Sequence, residues 1–301
     1  MKKFSIFAFI IMAFLFAGCE PNTGIGEDIK PNENKKNGFS VSPDKQVMFS
    51  KGNLQYDQHS MLWTFANNQY EFIGEKNLTG HFYCNVVGCG GAHEGYSKLS
   101  HLIDLFLYSS DCDLAMWGVP SSPEANSLTY PFIDWGYNKI ASDTPNTWYT
   151  LSHDELLYLM KGRTNASNLY AAATVGEVNG LILFPDKWKC PDDVIVNYGM
   201  ALRSGAEHYS GHNKFSINQW SKLESAGAIF LPAGGYYSSN HYCHINGKFY
   251  RTKEIGESGY YHTNGGYMKF QSNKLTFHDY FIMWEGDVTM VGYNVRLVKN
   301  L

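Results

Sequence analysis

Two short stretches are written as helices, and little else in the chain is. Ser152 stands three residues before Glu155, and Ser216 three before Gln219. Ser followed at that distance by Glu or Gln forms a capping box, in which each side chain satisfies a backbone N–H at the helix start. After the first box Leu156, Leu157, Leu159 and Met160 make an apolar stripe, and Gly162 is placed to end the helix in left-handed geometry. After the second, Ile217, Trp220 and Leu223 face one way and Gly227 closes the helix. Elsewhere the apolar residues come in short runs with partial alternation, the spacing of strands. Runs at 39–42, 46–56, 61–66, 70–73, 228–231, 267–270, 274–277 and 291–298 are expected to be strands, with 61–66 pairing back across a turn at 57–60. Asn179-Gly180, between 171–178 and 181–184, and Asn246-Gly247, between 241–245 and 248–251, predict two-residue hairpin turns, because both residues tolerate positive φ. Residues 75–100 read as loop, and no repeat of fixed period is present. Two helices among many strands make an α+β domain.

Composition supports a packed chain. Of 301 residues 44% are hydrophobic, 16% aromatic and 17% charged, too much apolar mass for a disordered polymer. The formal net charge is -4 and there is no basic block, so nucleic acid is not an expected partner.

The first nineteen residues, MKKFSIFAFIIMAFLFAGC, carry Lys2 and Lys3, then an apolar run over 4–16, then Ala17, Gly18 and Cys19. The run is short for a transmembrane helix, which needs about 20 apolar residues, and suits a cleaved signal peptide over 1–18. The ending resembles the lipobox of bacterial lipoproteins, although Phe16 stands where that motif usually has Leu. The resemblance implies that the thiol of Cys19 receives a lipid and becomes the N-terminus. The chain is then expected in the cell envelope, held at the outer membrane by that lipid. Residues 19–38 are polar after the Cys, with Pro21, Pro31, Gly24 and Gly26, and are expected to be a flexible tether. One domain, 39–301, remains.

Several stretches of that domain carry a family resemblance when taken together: FSVSPDKQVMFSKGNLQY (39–56), WTFANNQYEFIG (63–74), DWGYNKI (134–140), TWYTLSHDELLYLMKGR (147–163), VNGLILFPDKW (178–188), LESAGAIFLPAGGYY (223–237) and GYNVRLV (292–298). They resemble envelope lipoproteins of gut Bacteroidetes related to the Fibrobacter major-paralogous-domain family. The resemblance implies a C-type-lectin-like domain, the superfold that also hosts formylglycine-generating enzymes. Such a domain has two helices, small twisted antiparallel sheets, long irregular loops and a last strand closing against the first ones. Relatives commonly carry Gly-Trp-Gly where this chain has Leu107-Tyr108-Ser109. Shared fold does not transfer function.

The groups able to do chemistry are scattered. Cys84, Cys89, Cys112, Cys190 and Cys243 follow the lipidated Cys; five is odd, so at least one stays unpaired, and Cys84 and Cys89 are near enough to bridge a loop. His81, Cys84, Cys89 and His93, and separately His241, Cys243 and His244, are looser than the pairs that hold zinc. Asp111 and Asp113 lack the rest of a calcium loop. No metal or other cofactor is therefore assigned. Ser152-His153-Asp154 spells a triad, but neighbouring helical side chains diverge, and Ser152 serves as a cap. Neither Cys190 nor Cys243 sits in a formylglycine-generating motif, and no catalytic residue is assigned.

Tyr is what remains. Residues 236–267 interleave Tyr with Asn, Gly, Ser and His, the composition of adaptable recognition surfaces. Tyr236, Tyr237, Tyr242, Tyr260, Tyr261 and His262 are the candidate ligand contacts. The competing expectation is that alternating Tyr packs across strands inside a sheet. Trp63, Trp117, Trp135, Trp148, Trp188 and Trp220 are expected to anchor the core. The function expected is a non-catalytic binding module on the envelope, for a glycan or a surface protein. The alternatives are an enzyme on a formylglycine-generating-enzyme-like scaffold and a structural part of a surface assembly.

Overall fold

A computed structural model describes residues 38–57, 60–73, 102–107, 132, 134–238, 251–279 and 291–301. The chain divides into Met1–Asn32 and Glu33–Leu301, and every described residue belongs to the second unit. Its strands are β1 (Phe39–Ser40), β2 (Gln46–Phe49), β3 (Leu54–Asp57), β4 (Leu62–Phe65), β5 (Leu102–Ile103) and β6 (Phe106–Leu107). Next come β7 (Tyr170–Val175), β8 (Val178–Leu183), β9 (Lys214–Phe215), β10 (Ile229–Pro232), β11 (Tyr236–Ser238) and β12 (Arg251–Lys253). The last are β13 (Ser258–Thr263), β14 (Gly266–Gln271), β15 (Leu275–Asp279), β16 (Val291–Tyr293) and β17 (Val298–Asn300). The described strands form five small sheets, in the orders β1-β2-β17, β10-β8-β7-β9, β12-β11-β16-β6, β13-β14-β15 and β4-β3-β5. Pairing is antiparallel except between β7 and β9. The molecule is α+β with few helices.

Both capping boxes form. Ser152 accepts from the backbone of Glu155 at the head of α1 (His153–Leu157), and Glu155 answers on the Ser152 N–H. The helix then widens into a π turn over Tyr158–Gly162. Gly162 does not take the expected left-handed conformation. Its lack of a side chain serves packing instead, since a Cβ would stand 2.6 Å from the Tyr158 ring. Ser216 and Gln219 box the start of the third described helix, Ile217–Ser225, which buries Trp220 and Leu223 and is followed by Gly227 at φ 101° as expected. A helix not expected lies between them. Ala206–His212 (α2, with Ile217–Ser225 as α3) has no side-chain cap and buries only Tyr209, so neither periodicity nor capping announces it.

Three strand expectations change. The run 46–56 breaks at 50–53, where Gly52 lies so close to Ala66 that a Cβ would stand 2.3 Å from its carbonyl oxygen; β2 and β3 enter different sheets. The run 70–73 is not a strand: Glu71 folds back to accept from the Asn67 and Asn68 N–H groups. The run 291–298 divides into β16 and β17, joined by a stretch that buries Val295 and Leu297. The β3–β4 hairpin forms as expected, with Asp57 opposite Leu62.

The Asn179-Gly180 turn is also corrected. Val175 pairs with Val178, so the turn is Gly176-Glu177, with Gly176 at φ 61°. Glycine at the first central position belongs to the type II′ hairpin. Asn179 lies within β8. Its side chain accepts from Thr174 Oγ1 at 2.6 Å and donates to the carbonyls of Ala206 and Gly256. The Asn246-Gly247 turn lies outside the described residues.

Three apolar clusters fill the spaces between the layers. One joins Phe39 and Val47 to Leu159, Leu183 and Phe270. A second packs Trp220 of α3 against Val175, Ile182 and Phe230. A third gathers Trp63, Phe106, Trp135, Trp148 and Leu297. Trp63, Trp135, Trp148 and Trp220 are buried as anchors, Trp188 is half-buried against Phe184 at 4.4 Å, and Trp117 lies outside the described residues.

Candidate functional site

The β13-β14-β15 sheet sorts the tyrosines by parity. Successive side chains in a strand point to opposite faces, so one step in sequence exchanges core for the far side. Tyr261, Met268 and Phe270 belong to the first core cluster, with Leu275 and Phe277 packed against it. Tyr260 and His262 face the other way, across from Lys269 and Tyr267, which are in turn opposite Thr276 and His278. In β14 alternate residues are buried and half-buried; in β13 all are buried, so both faces of that strand are covered.

What covers the second face is a layer of rings from neighbouring sheets. Tyr293 of β16 stacks on Tyr260 at 5.1 Å and meets Tyr267 at 4.7 Å and His262 at 5.1 Å. Tyr236 of β11 lies 4.7 Å from Tyr260, and Trp135 lies 4.9 Å from His262. The layer is closed to solvent at the His262 end. It opens towards solvent where Tyr236 and Tyr267 are half-buried and His278, stacked on Tyr267 at 4.7 Å, is exposed.

Three of the candidate contacts lie in the interior. Tyr260, Tyr261 and His262 are 6%, 3% and 4% exposed and stand in a strand between two layers, not in a surface loop. Tyr261 is a core residue whose hydroxyl donates to the Pro232 carbonyl at 3.0 Å, and burial raises its pKa. The His262 Nε2–H donates to the Phe106 carbonyl at 2.6 Å, and burial pushes the imidazole pKa down to about 3, so the ring stays neutral. Burial and then Glu254 keep the Tyr260 hydroxyl protonated. Tyr237 pairs through its backbone with Thr252 and Gly292. Cys19 and Tyr242 lie outside the described residues, as do His81, Cys84, Cys89, His93, Asp111, Cys112, Asp113, His241, Cys243 and His244.

At the open edge two charges join the rings. Tyr260 donates to Glu254 Oε2 at 2.9 Å, and Lys269 Nζ stands 3.1 Å from the same oxygen and 4.8 Å from the centre of the Tyr260 ring. Burial alone would raise the Glu254 pKa. The nearby Ser258 hydroxyl, the Tyr260 hydrogen bond and Lys269 outweigh it and hold the carboxyl below its ordinary value, so it is ionised at neutral pH. The edge therefore presents an anionic acceptor, a cationic donor and aromatic rings. Glu254, just past the end of β12, and Lys269, on β14, are single charges that no sequence pattern joins. Tyr293 is a single Tyr far from the Tyr-rich stretch.

The remaining candidates are accounted for locally. Cys190 Sγ donates to the Val194 carbonyl at 3.1 Å, and burial, then Asp192 and Asp193, push its thiol pKa up, away from reactivity. Ser152 is a helix cap. Among the described residues no three His, Cys, Asp or Glu side chains gather as a metal set, and no helix is long and apolar enough to cross a membrane. No family model, curated protein or solved structure matches the chain.

Proposed function

We propose that the chain is a non-catalytic binding lipoprotein of the cell envelope, held at the outer membrane by a lipid on Cys19. Its domain is C-type-lectin-like, of the kind carried by the Bacteroidetes lipoproteins related to the Fibrobacter major-paralogous-domain family, and its ligand is a glycan or a surface protein. Small antiparallel sheets, few helices and a final strand seated on β2 support the fold assignment. The observation that carries the functional reading is the open aromatic edge: Tyr236, Tyr267 and His278 beside the Glu254–Lys269 pair. Rings give rigid contact area with little entropy to lose, and the pair gives hydrogen-bonding direction.

The test has two arms. The full-length chain in detergent is applied to arrays of oligosaccharides and of envelope proteins, then repeated with Tyr236→Ala and Tyr267→Ala. Loss of about tenfold or more in affinity for whatever is captured is expected, since each ring is worth about 1–2 kcal/mol. Unchanged affinity removes the edge from the interface. In cells, Cys19→Ser is expected to abolish fatty-acid labelling and release the protein from membranes; labelling that persists overturns the anchor.

A further inference from the structure

The stretch 188–203 carries more apolar surface than the fold uses. Val194 is buried in the second core cluster with Val196 packed against it, Ala201 is buried, and Met200 packs on the first cluster. Their neighbours do not turn inward. Ile195 is 86% exposed and Leu202 98%, the two most exposed large apolar side chains among the described residues. Between them stands Tyr198, also exposed, whose hydroxyl accepts from Trp188 Nε1 at 3.0 Å. Both rings rest on the buried Phe184, at 4.4 Å for Trp188 and 5.5 Å for Tyr198. Ile195 is three residues from Tyr198 and Leu202 four, so the chain holds both within about 14 Å of it. A single exposed leucine is ordinary. Two bare aliphatic side chains beside a fixed Trp–Tyr pair are the groups that settle at a lipid–water boundary, where amphipathic rings sit at headgroup level.

The domain also begins there. The Gly38 carbonyl accepts from the Asp186 N–H at 3.0 Å, and Trp188 follows two residues later. Only residues 20–37 lie between Cys19 and Gly38. A polar coil of that length spans roughly 20–25 Å, comparable to the radius of a domain of this size. Bringing the opposite face to a bilayer that holds Cys19 would take roughly 60 Å, the coil at full extension. The Trp188 face meets that bilayer with the coil relaxed. Exposed Lys187, Lys189 and Arg203 flank it and suit lipid phosphates; of the acidic pair Asp192 and Asp193, the second is engaged by Lys222.

We infer that the face carrying Trp188, Ile195, Tyr198 and Leu202 docks on the phospholipid bilayer that holds the Cys19 lipid. The domain then lies on the membrane instead of hanging free of it. This inference rests on the lipoprotein reading and adds an orientation to it.

The experiment reconstitutes the lipidated chain in vesicles of phosphatidylcholine and phosphatidylglycerol, the former with brominated acyl chains that quench tryptophan on contact. Quenching is expected in the wild type and is expected to disappear in Trp188→Phe, which identifies the ring. Ile195→Asp combined with Leu202→Asp is expected to lower the ratio of docked to undocked chains about tenfold or more. Tm and flotation with the vesicles should hold, because both side chains are open to solvent and the lipid is untouched. Met61→Asp, at a side chain 72% exposed on the β3–β4 turn, is expected to leave quenching as it was. Equal quenching in wild type and Trp188→Phe, or in wild type and the double Asp variant, overturns the inference and leaves the lipid anchor standing. A double variant that splits a dimer in detergent assigns the face to a second copy and overturns it too. A chain that does not float with the vesicles at all overturns both readings.

Discussion

Single buried charges show most directly what holds the described fold. Arg163 follows the π turn of α1 and is almost wholly enclosed. Its Nε donates to the Leu159 carbonyl at 2.6 Å, and Nη1 donates to the Phe184 carbonyl at 2.9 Å and to Asp186 Oδ1 at 3.1 Å. Asp186 in turn accepts from the Ser40 N–H and hydroxyl, so one guanidinium ties α1 and the end of β8 to β1. Removing one member of such a pair leaves the rest buried and unpaired. Arg163→Met is therefore expected to lose about 3–5 kcal/mol, seen as a lower urea midpoint at unchanged slope. Asp104 is the opposite case, a buried carboxyl with no cation beside it among the described residues. It accepts from the Ile73 N–H at 2.7 Å, yet burial outweighs that bond and raises its pKa to about 6. Because the folded value lies above the unfolded one, the proton is bound more tightly in the folded state. The resulting stabilisation is complete below about pH 4 and is lost as pH rises through about 6. A shift of this size corresponds to about 3 kcal/mol. Asp104→Asn keeps the acceptor and is expected to flatten this part of the stability–pH curve; an unchanged slope between pH 4 and 7 would show that Asp104 ionises freely.

At the level of elements, what could be read from the sequence depended on whether the cause was local. The capping boxes at Ser152 and Ser216 form as written because both partners lie within one turn of chain. Asn179-Gly180 reads equally well as a turn, but the cause of its glycine is in another strand. A Cβ on Gly180 would stand 2.4 Å from the Leu231 carbonyl oxygen and 2.4 Å from the Phe230 ring, both on β10. The real turn glycine, Gly176, has only the flexible end of Ile217 nearby, at 3.0 Å. The two glycines should thus respond differently. Gly180→Ala is expected to lose about 2–3 kcal/mol by forcing β8 and β10 apart. Gly176→Asn, which tolerates positive φ, is expected to lose less than about 1 kcal/mol. Equal losses in thermal unfolding would place the turn at Asn179-Gly180 after all. Tyr260, Tyr261 and His262 teach the same lesson at the site. Composition singles out the stretch, but which residue faces the core follows from strand parity and from what covers each face. The ring layer comes from β11, at the other end of the same stretch, and from β16, beyond it.

Across the molecule, a run of buried polar groups joins segments that the sequence gives no reason to connect. Arg296 lies between β16 and β17, is 5% exposed, and its side-chain hydrogen bonds among the described residues go to amides. Its Nη2 donates to Gln69 Oε1 at 2.6 Å and its Nη1 to Asn53 Oδ1 at 3.3 Å. The Gln69 amide then donates to Glu224 on α3 at 2.8 Å, so the counter-charge stands one amide away, at the surface. Asn53 continues the run, donating to Tyr261 Oη at 3.1 Å and Asn294 Oδ1 at 3.2 Å. Burial lowers the Arg296 pKa to about 10, with Tyr261 and Glu224 opposing the shift, and the group stays charged at neutral pH. None of these residues belongs to a motif; Asn53 and Gln69 are loop amides whose partners lie more than 150 residues away. The network is the place where the first described strands, the closing strands and α3 are fastened to one another. Arg296→Ala and Gln69→Ala are each expected to lose about 3 kcal/mol. Both remove the same 2.6 Å bond, so the double variant should fall short of the sum by about 1 kcal/mol or more. Urea unfolding of the four proteins measures that coupling. Strict additivity would mean that the three segments are held independently, and that Glu224 does not compensate the buried cation through Gln69.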